Sequence, residues 1–148
     1  QTPDWWVDAA TTAGHAVKFN PPWPDWAIDV QFGGARWAPK RMQVAYSVWD
    51  MSVRAGISIS DLSGKHAHRV VSWPTSYASV WPGTMSPAWS PDGGWLAFVK
   101  SLKYVAGIDA PNGPAVGELW LVATSGAGLR QLATVKNCTA ATWLPPAP

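Results

Sequence analysis

Two histidines one residue apart, His66 and His68, are the first side chains in this chain that could do chemistry. On an extended strand, residues i and i+2 share a face, so the two imidazoles could hold a metal with a third ligand from elsewhere. They directly follow the turn residues Ser63-Gly64-Lys65, a position that favours a solvated hairpin edge instead. No nucleophile constellation competes with them. Gly-x-Ser-x-Gly is absent, and none of the three histidines has an acidic partner at a readable spacing for a Ser-His-Asp triad. Glycoside hydrolysis needs two carboxylates facing one cleft, whereas the acidic residues are eight Asp, mostly in turn contexts, and a single Glu, Glu118. The one cysteine, Cys138, excludes an internal disulfide and a cysteine-based zinc site, and reads as a small buried hydrophobe near a strand end. The expectation is a non-enzymatic chain with no cofactor and no metal.

The conspicuous side chains are aromatic, with twelve Trp among 148 residues. The stretch 72–84 carries no charge but holds Trp73, Tyr77 and Trp81, with two Trp-Pro pairs. Such composition is unusual for a solvated connector. Two readings follow. Rigid aromatics give contact area at low entropic cost, which suits a recognition surface; or Trp73 and Trp81 tuck back between structural units. The stretch 101–117 raises the same question, because Leu102, Tyr104 and Ile108 are too apolar to be left in water and need a neighbour in this chain or another. The candidate partner or ligand contacts are therefore Trp73, Tyr77, Trp81, Leu102, Tyr104 and Ile108.

The elements that must position these residues are β-strands. Ser90-Pro91-Asp92-Gly93 supplies what a type I turn asks for: Pro with φ already fixed, Asp after it, and Gly able to take φ > 0. Apolar and aromatic residues on both sides, Ala88-Trp89 and Trp95-Leu96-Ala97-Phe98-Val99, suit a pleated, half-buried surface. An earlier copy of this hairpin, Arg36 to Val48, lies fifty-two positions upstream, with Trp37 under Trp89, Pro39 under Pro91 and Tyr46 under Phe98. A second correspondence follows at an offset of sixty-two, Ile57 to Gly64 against Leu119 to Gly126, and each copy ends in a short strand, Arg69-Val70-Val71 or Gln131-Leu132-Ala133. Four short strands per unit at a period of about fifty is a propeller-blade signature.

These motifs resemble the WD-like repeats of TolB-type β-propellers, whose blade opens with W-S-P-D-G before an apolar strand. Trp89-Ser90-Pro91-Asp92-Gly93 carries that motif intact; Trp37-Ala38-Pro39-Lys40-Arg41 keeps only Trp and Pro. Thr142-Trp143-Leu144-Pro145 looks like the opening strand of a further unit, and residues 6–17 like the closing half of a preceding one. The expected fold is all-β: two four-stranded antiparallel propeller-type blades with partial strands at both ends, an incomplete propeller. It divides into an irregular aromatic arm or partial blade over 1–34, in which Trp26 to Phe32 alternates like a strand bounded by Gly33-Gly34, a first blade plus linker over 35–86, a second blade over 87–134, and the start of another over 135–148. Within the first blade, the hairpin loop is expected near Trp49 to Gly56. The recurring Trp37, Trp89 and Trp143 are expected to pack between blades. The resemblance also implies a periplasmic or extracellular location.

Composition agrees with an all-β fold. Fourteen Pro, thirteen Gly and 14% charged residues leave little helical spacing. A net charge of +2, with Lys and Arg scattered, gives no nucleic-acid footprint. No apolar run approaches membrane-spanning length. Because closed propellers need at least four blades, two blades should leave two open apolar faces. The expected function is association with other protein chains, in a homo-oligomer or a larger envelope assembly. The alternative is a lectin-like module that binds carbohydrate through exposed Trp.

Overall fold

A computed structural model of the chain describes residues 7–10, 16–19, 30–50, 54–64, 66–74, 87–101, 116–136, 138 and 140–144. Among these residues the fold is all-β, with no helix. The strands are β1 (Val7–Ala10), β2 (Ala16–Phe19), β3 (Val30–Trp37), β4 (Gln43–Asp50), β5 (Arg54–Asp61), β6 (His68–Pro74), β7 (Ala88–Trp89), β8 (Trp95–Ser101), β9 (Val116–Ala123) and β10 (Arg130–Lys136). β1 and β2 form an antiparallel pair. The others form two four-stranded antiparallel sheets in sequential order, β3-β4-β5-β6 and β7-β8-β9-β10, the form of a propeller blade.

Both offsets read from the sequence recur in the structure. β3 and β7 end on Trp37 and Trp89; β5 and β9 end on Asp61 and Ala123; β6 and β10 begin at His68 and Arg130. Even an irregularity repeats. In the first sheet Ile57 pairs with Val71 and Ser58 with Arg69, which skips Val70. In the second, Leu119 pairs with Ala133 and Trp120 with Gln131, which skips Leu132. A bulge on the outermost strand is thus part of the repeating unit, adding twist at the sheet edge.

The core lies between the sheets. Ala45, Ile57, Ile59, Val70 and Val71 of the first meet Trp89, Leu96, Phe98 and Val122 of the second. The other face of the first sheet is buried as well: Val44, Tyr46 and Val48 are 2%, 2% and 4% exposed. Ser58 and Ser60 share that face, opposite Tyr46 and Val44. Burial on both faces explains why β4 and β5 read as runs of apolar and small residues rather than a clean apolar–polar alternation. By contrast, β10 is exposed along almost its whole length. Neither sheet has the expected open face over its middle, since Ala97, Val99 and Leu121 on the outer face of the second are also 8%, 1% and 8% exposed; the exposure of the second sheet lies along β10.

Several strands run further than their sequence suggests. β3 continues through Gly33-Gly34, which the sequence offered as a strand boundary, because Gly34 at φ 58° lets a bulge between Gly33 and Arg36 absorb the extra residue. Trp49, Ala55 and Gly56, expected in a hairpin loop, belong to the β4–β5 ladder. Gly56 serves the sheet rather than a turn: a Cβ there would lie 2.2 Å from the Val71 carbonyl oxygen. β6 likewise extends to Pro74, so Trp73 sits on a strand and not in the linker.

Candidate functional site

The Ser90–Gly93 turn forms as its residue types predict. The Gly93 amide donates to the Ser90 carbonyl at 2.8 Å, with Gly93 at φ 76°. The Ser90 hydroxyl donates to Asp92 Oδ1 at 2.5 Å and accepts the Trp95 amide at 2.9 Å; the Gly94 amide donates to the same carboxylate oxygen at 2.9 Å. These bonds, led by that from Ser90, hold the Asp92 carboxyl below the usual carboxylate range. The motif is therefore a self-satisfied turn, and its product is position: it fixes Trp89 on one side and Trp95 on the other.

Trp89 reaches across the gap between the sheets. Its indole Nε1 donates to the main-chain carbonyl of Arg36, the residue before Trp37, at 2.9 Å. Trp143 does the same one unit later, donating to the carbonyl of Ala88, the residue before Trp89, also at 2.9 Å. The recurring tryptophans thus form a ladder in which the indoles of Trp89 and Trp143 each clamp the strand of the preceding unit. The sequence placed these residues together as packing; it gave no sign of the hydrogen bonds.

Around the ladder lies a cavity of about 380 Å³. It is lined by Trp37, Trp89 and Trp143 with Pro39 and Pro91, and by the polar residues Arg36 and Thr142. Among the described residues no carboxylate lines it. The Arg36 guanidinium donates to the Ala35 carbonyl at 2.9 Å. The cavity is chemically an aromatic and proline surface, suited to stacking and to main-chain contact rather than to proton transfer.

A second aromatic cluster lies deeper between the sheets. Trp73 stacks on Phe98, with centroids 5.7 Å apart and planes 10° from parallel. Lys100 Nζ lies 5.8 Å from the Trp73 ring and 5.7 Å from the Trp120 ring, distances that allow cation–π attraction. Glu118 completes the group, accepting the Trp120 indole N–H at 3.0 Å and lying 3.7 Å from Lys100 Nζ. Trp73 Nε1 is buried without a hydrogen-bond partner. Sequence reasoning missed this cluster, although Glu118 and Trp120, two apart on one strand, were the available signal. Of the other proposed contacts, Tyr77, Trp81, Leu102, Tyr104 and Ile108 lie outside the described residues.

The two histidines do not converge. His66 Nδ1 pairs with Asp61 Oδ2 in the exposed turn, and this bond, joined by one from the Ser63 hydroxyl, lowers the Asp61 pKa to about 2. His68 Nε2 instead donates to the Thr124 carbonyl at 3.2 Å, tying β6 to a turn of the second sheet. The Cys138 thiol, half-buried, donates to the Ala140 carbonyl at 3.3 Å. Among the described residues, no group of three or more His, Cys, Asp or Glu side chains is arranged to hold a metal, and no helix is long and apolar enough to cross a membrane. No protein-family model matches the chain, and no curated protein matches it.

Proposed function

We propose that this chain is a non-enzymatic association module of TolB-type propeller character, working outside the cytoplasm by joining other protein chains. The observation that carries the reading is the contrast between equivalent bulge residues: Val70, under the second sheet, is 7% exposed, whereas Leu132, its counterpart on β10, is 50% exposed. Leu129, just before β10, is 46% exposed. The repeating unit buries this position when another unit lies over it, so the outer strand of the second sheet is shaped to be covered. The test is native mass across a dilution series. A discrete multiple of 15.9 kDa that persists on dilution, or a stable complex with another chain from the source extract, is the expected result. A soluble monomer that takes no partner overturns the reading.

The Trp-lined cavity favours a second reading, carbohydrate binding, because sugar rings stack on exposed indoles. Against it stands the polar lining: among the described residues, Arg36 and Thr142 alone bring polar side chains other than the indoles to recognise hydroxyls. Binding of oligosaccharide by the monomer, lost in Trp37→Ala, would favour that reading over association.

A further inference from the structure

Among the described residues the tryptophan ladder has an unfilled place before Trp37 and after Trp143, and the two places are complementary. Trp89 and Trp143 each donate to the carbonyl of the residue before the previous Trp. By the same rule Trp37 would take such a carbonyl from a preceding unit. The next acceptor in the series is the carbonyl of Thr142, the residue before Trp143. We infer that a second copy of this chain seats its Thr142–Leu144 segment on Trp37, with the Thr142 carbonyl accepting the Trp37 indole N–H. This inference rests on the association reading and names its partner and contact.

Exposure supports the assignment at both ends. Trp37 pairs with Val44 and so points to the face of the first sheet that lies away from the second. On that face Val44, Tyr46 and Val48 are buried, yet Trp37 is 38% exposed, against 9% for Trp89. Among the described residues of that face, the exposed ones are Trp37 on the innermost strand and Ser72 on the outermost. At the other end Thr142 is exposed, and Leu144 is 84% exposed. Docking one end on the other repeats a contact made twice within the chain, so it needs no new geometry. Such a contact is head-to-tail, giving a ring where the rotation closes and a filament where it does not.

The experiment replaces Trp37 with p-benzoylphenylalanine, which keeps an aromatic ring there and crosslinks to neighbouring C–H groups on illumination. The variant is mixed with ¹⁵N-labelled unmodified chain, and crosslinked tryptic peptides are identified by mass spectrometry. The expected product joins residue 37 of the variant to the labelled peptide covering 137–148. Crosslinks within one chain only, or to labelled residues elsewhere, overturn this contact while a stable multimeric mass keeps the association reading. A mass of 15.9 kDa at every concentration, with no partner taken, overturns both. Trp37→Phe, which keeps the ring and removes the donor, should weaken self-association by about two- to tenfold, the worth of one hydrogen bond. Unchanged self-association in that variant also overturns the contact.

Discussion

Trp89 and Arg36 are joined by a 2.9 Å hydrogen bond from the indole Nε1 to the main-chain carbonyl, across the gap between the two sheets. The bond repeats between Trp143 and Ala88. It explains why a turn as specific as Ser-Pro-Asp-Gly follows Trp89: the turn holds the start of the hairpin rigid, so that the indole meets its carbonyl without searching. Trp89→Phe should lose about 1 kcal/mol for the bond and more for reduced ring area at a site that is 9% exposed. Trp143→Phe, at a half-buried ring, should lose the bond's share alone. Urea denaturation of both variants checks this, and equal losses would show that the core contribution of Trp89 is small.

Glycine has two different roles, and alanine separates them. Gly93 sits at φ 76° with its nearest neighbour, Pro39 Cγ, 4.0 Å from a built Cβ. Gly93→Ala therefore meets only left-handed backbone strain, about 1–2 kcal/mol. A Cβ at Gly56 would lie 2.2 Å from the Val71 carbonyl oxygen, and main chain cannot rotate away. Gly56→Ala should force β5 and β6 apart and cost about 3 kcal/mol or more. Thermal unfolding should rank the two variants in that order; the reverse ranking would mean that the bulged edge gives way freely.

That contrast also marks what the sequence made legible. Fixed offsets of fifty-two and sixty-two located both sheets, because a repeated unit must reuse the same turn chemistry, and Pro91, Asp92, Gly93 and Gly126 announce theirs. Strand lengths were less visible. Gly56 and Trp73 looked like loop residues because glycine and Trp-Pro pairs punctuate loops, whereas here one relieves a main-chain approach and the other fills the space beside Phe98. The ladder was hidden for another reason. A side-chain bond to main chain fifty-three or fifty-five residues away depends on the stacking distance of two sheets, which no local pattern encodes.

Extremes of pH should weaken the fold through separate groups. Burial raises the Tyr46 hydroxyl from 10.0 to about 12, outweighing the hydrogen bond from Ser60 and the nearby Arg69 charge. The folded state holds this proton more tightly than the unfolded chain, so the stabilisation is complete below pH 10 and is lost as pH rises through about 12. It amounts to something on the order of 2 kcal/mol. Tyr46→Phe should remove the late component of the tyrosinate absorbance titration. At the acid end the sign reverses. Asp61, at about 2, stabilises the folded chain above the ordinary carboxylate range and loses that effect as pH falls through about 2. His66→Ala should move the acid transition to higher pH, because His66 is the main cause of the lowered value.

Trp73 provides the least conventional outcome. Its ring stacks on Phe98 beneath Lys100, yet its Nε1 is buried with no acceptor. An indole N–H in that state carries a desolvation cost of about 1–3 kcal/mol. Trp73→Phe removes the orphaned donor and keeps an aromatic face for the stack, so the variant should be neutral or more stable, despite the loss of ring area. Trp120→Phe makes the opposite change: it removes a donor that is satisfied at 3.0 Å and leaves Glu118 with only Lys100, 3.7 Å away. That variant should lose about 1–3 kcal/mol. Paired denaturation curves decide the matter. If Trp73→Phe is the more damaging of the two, the ring's packing on Phe98 outweighs its unpaired nitrogen, and Trp73 stabilises the junction between the sheets through its size.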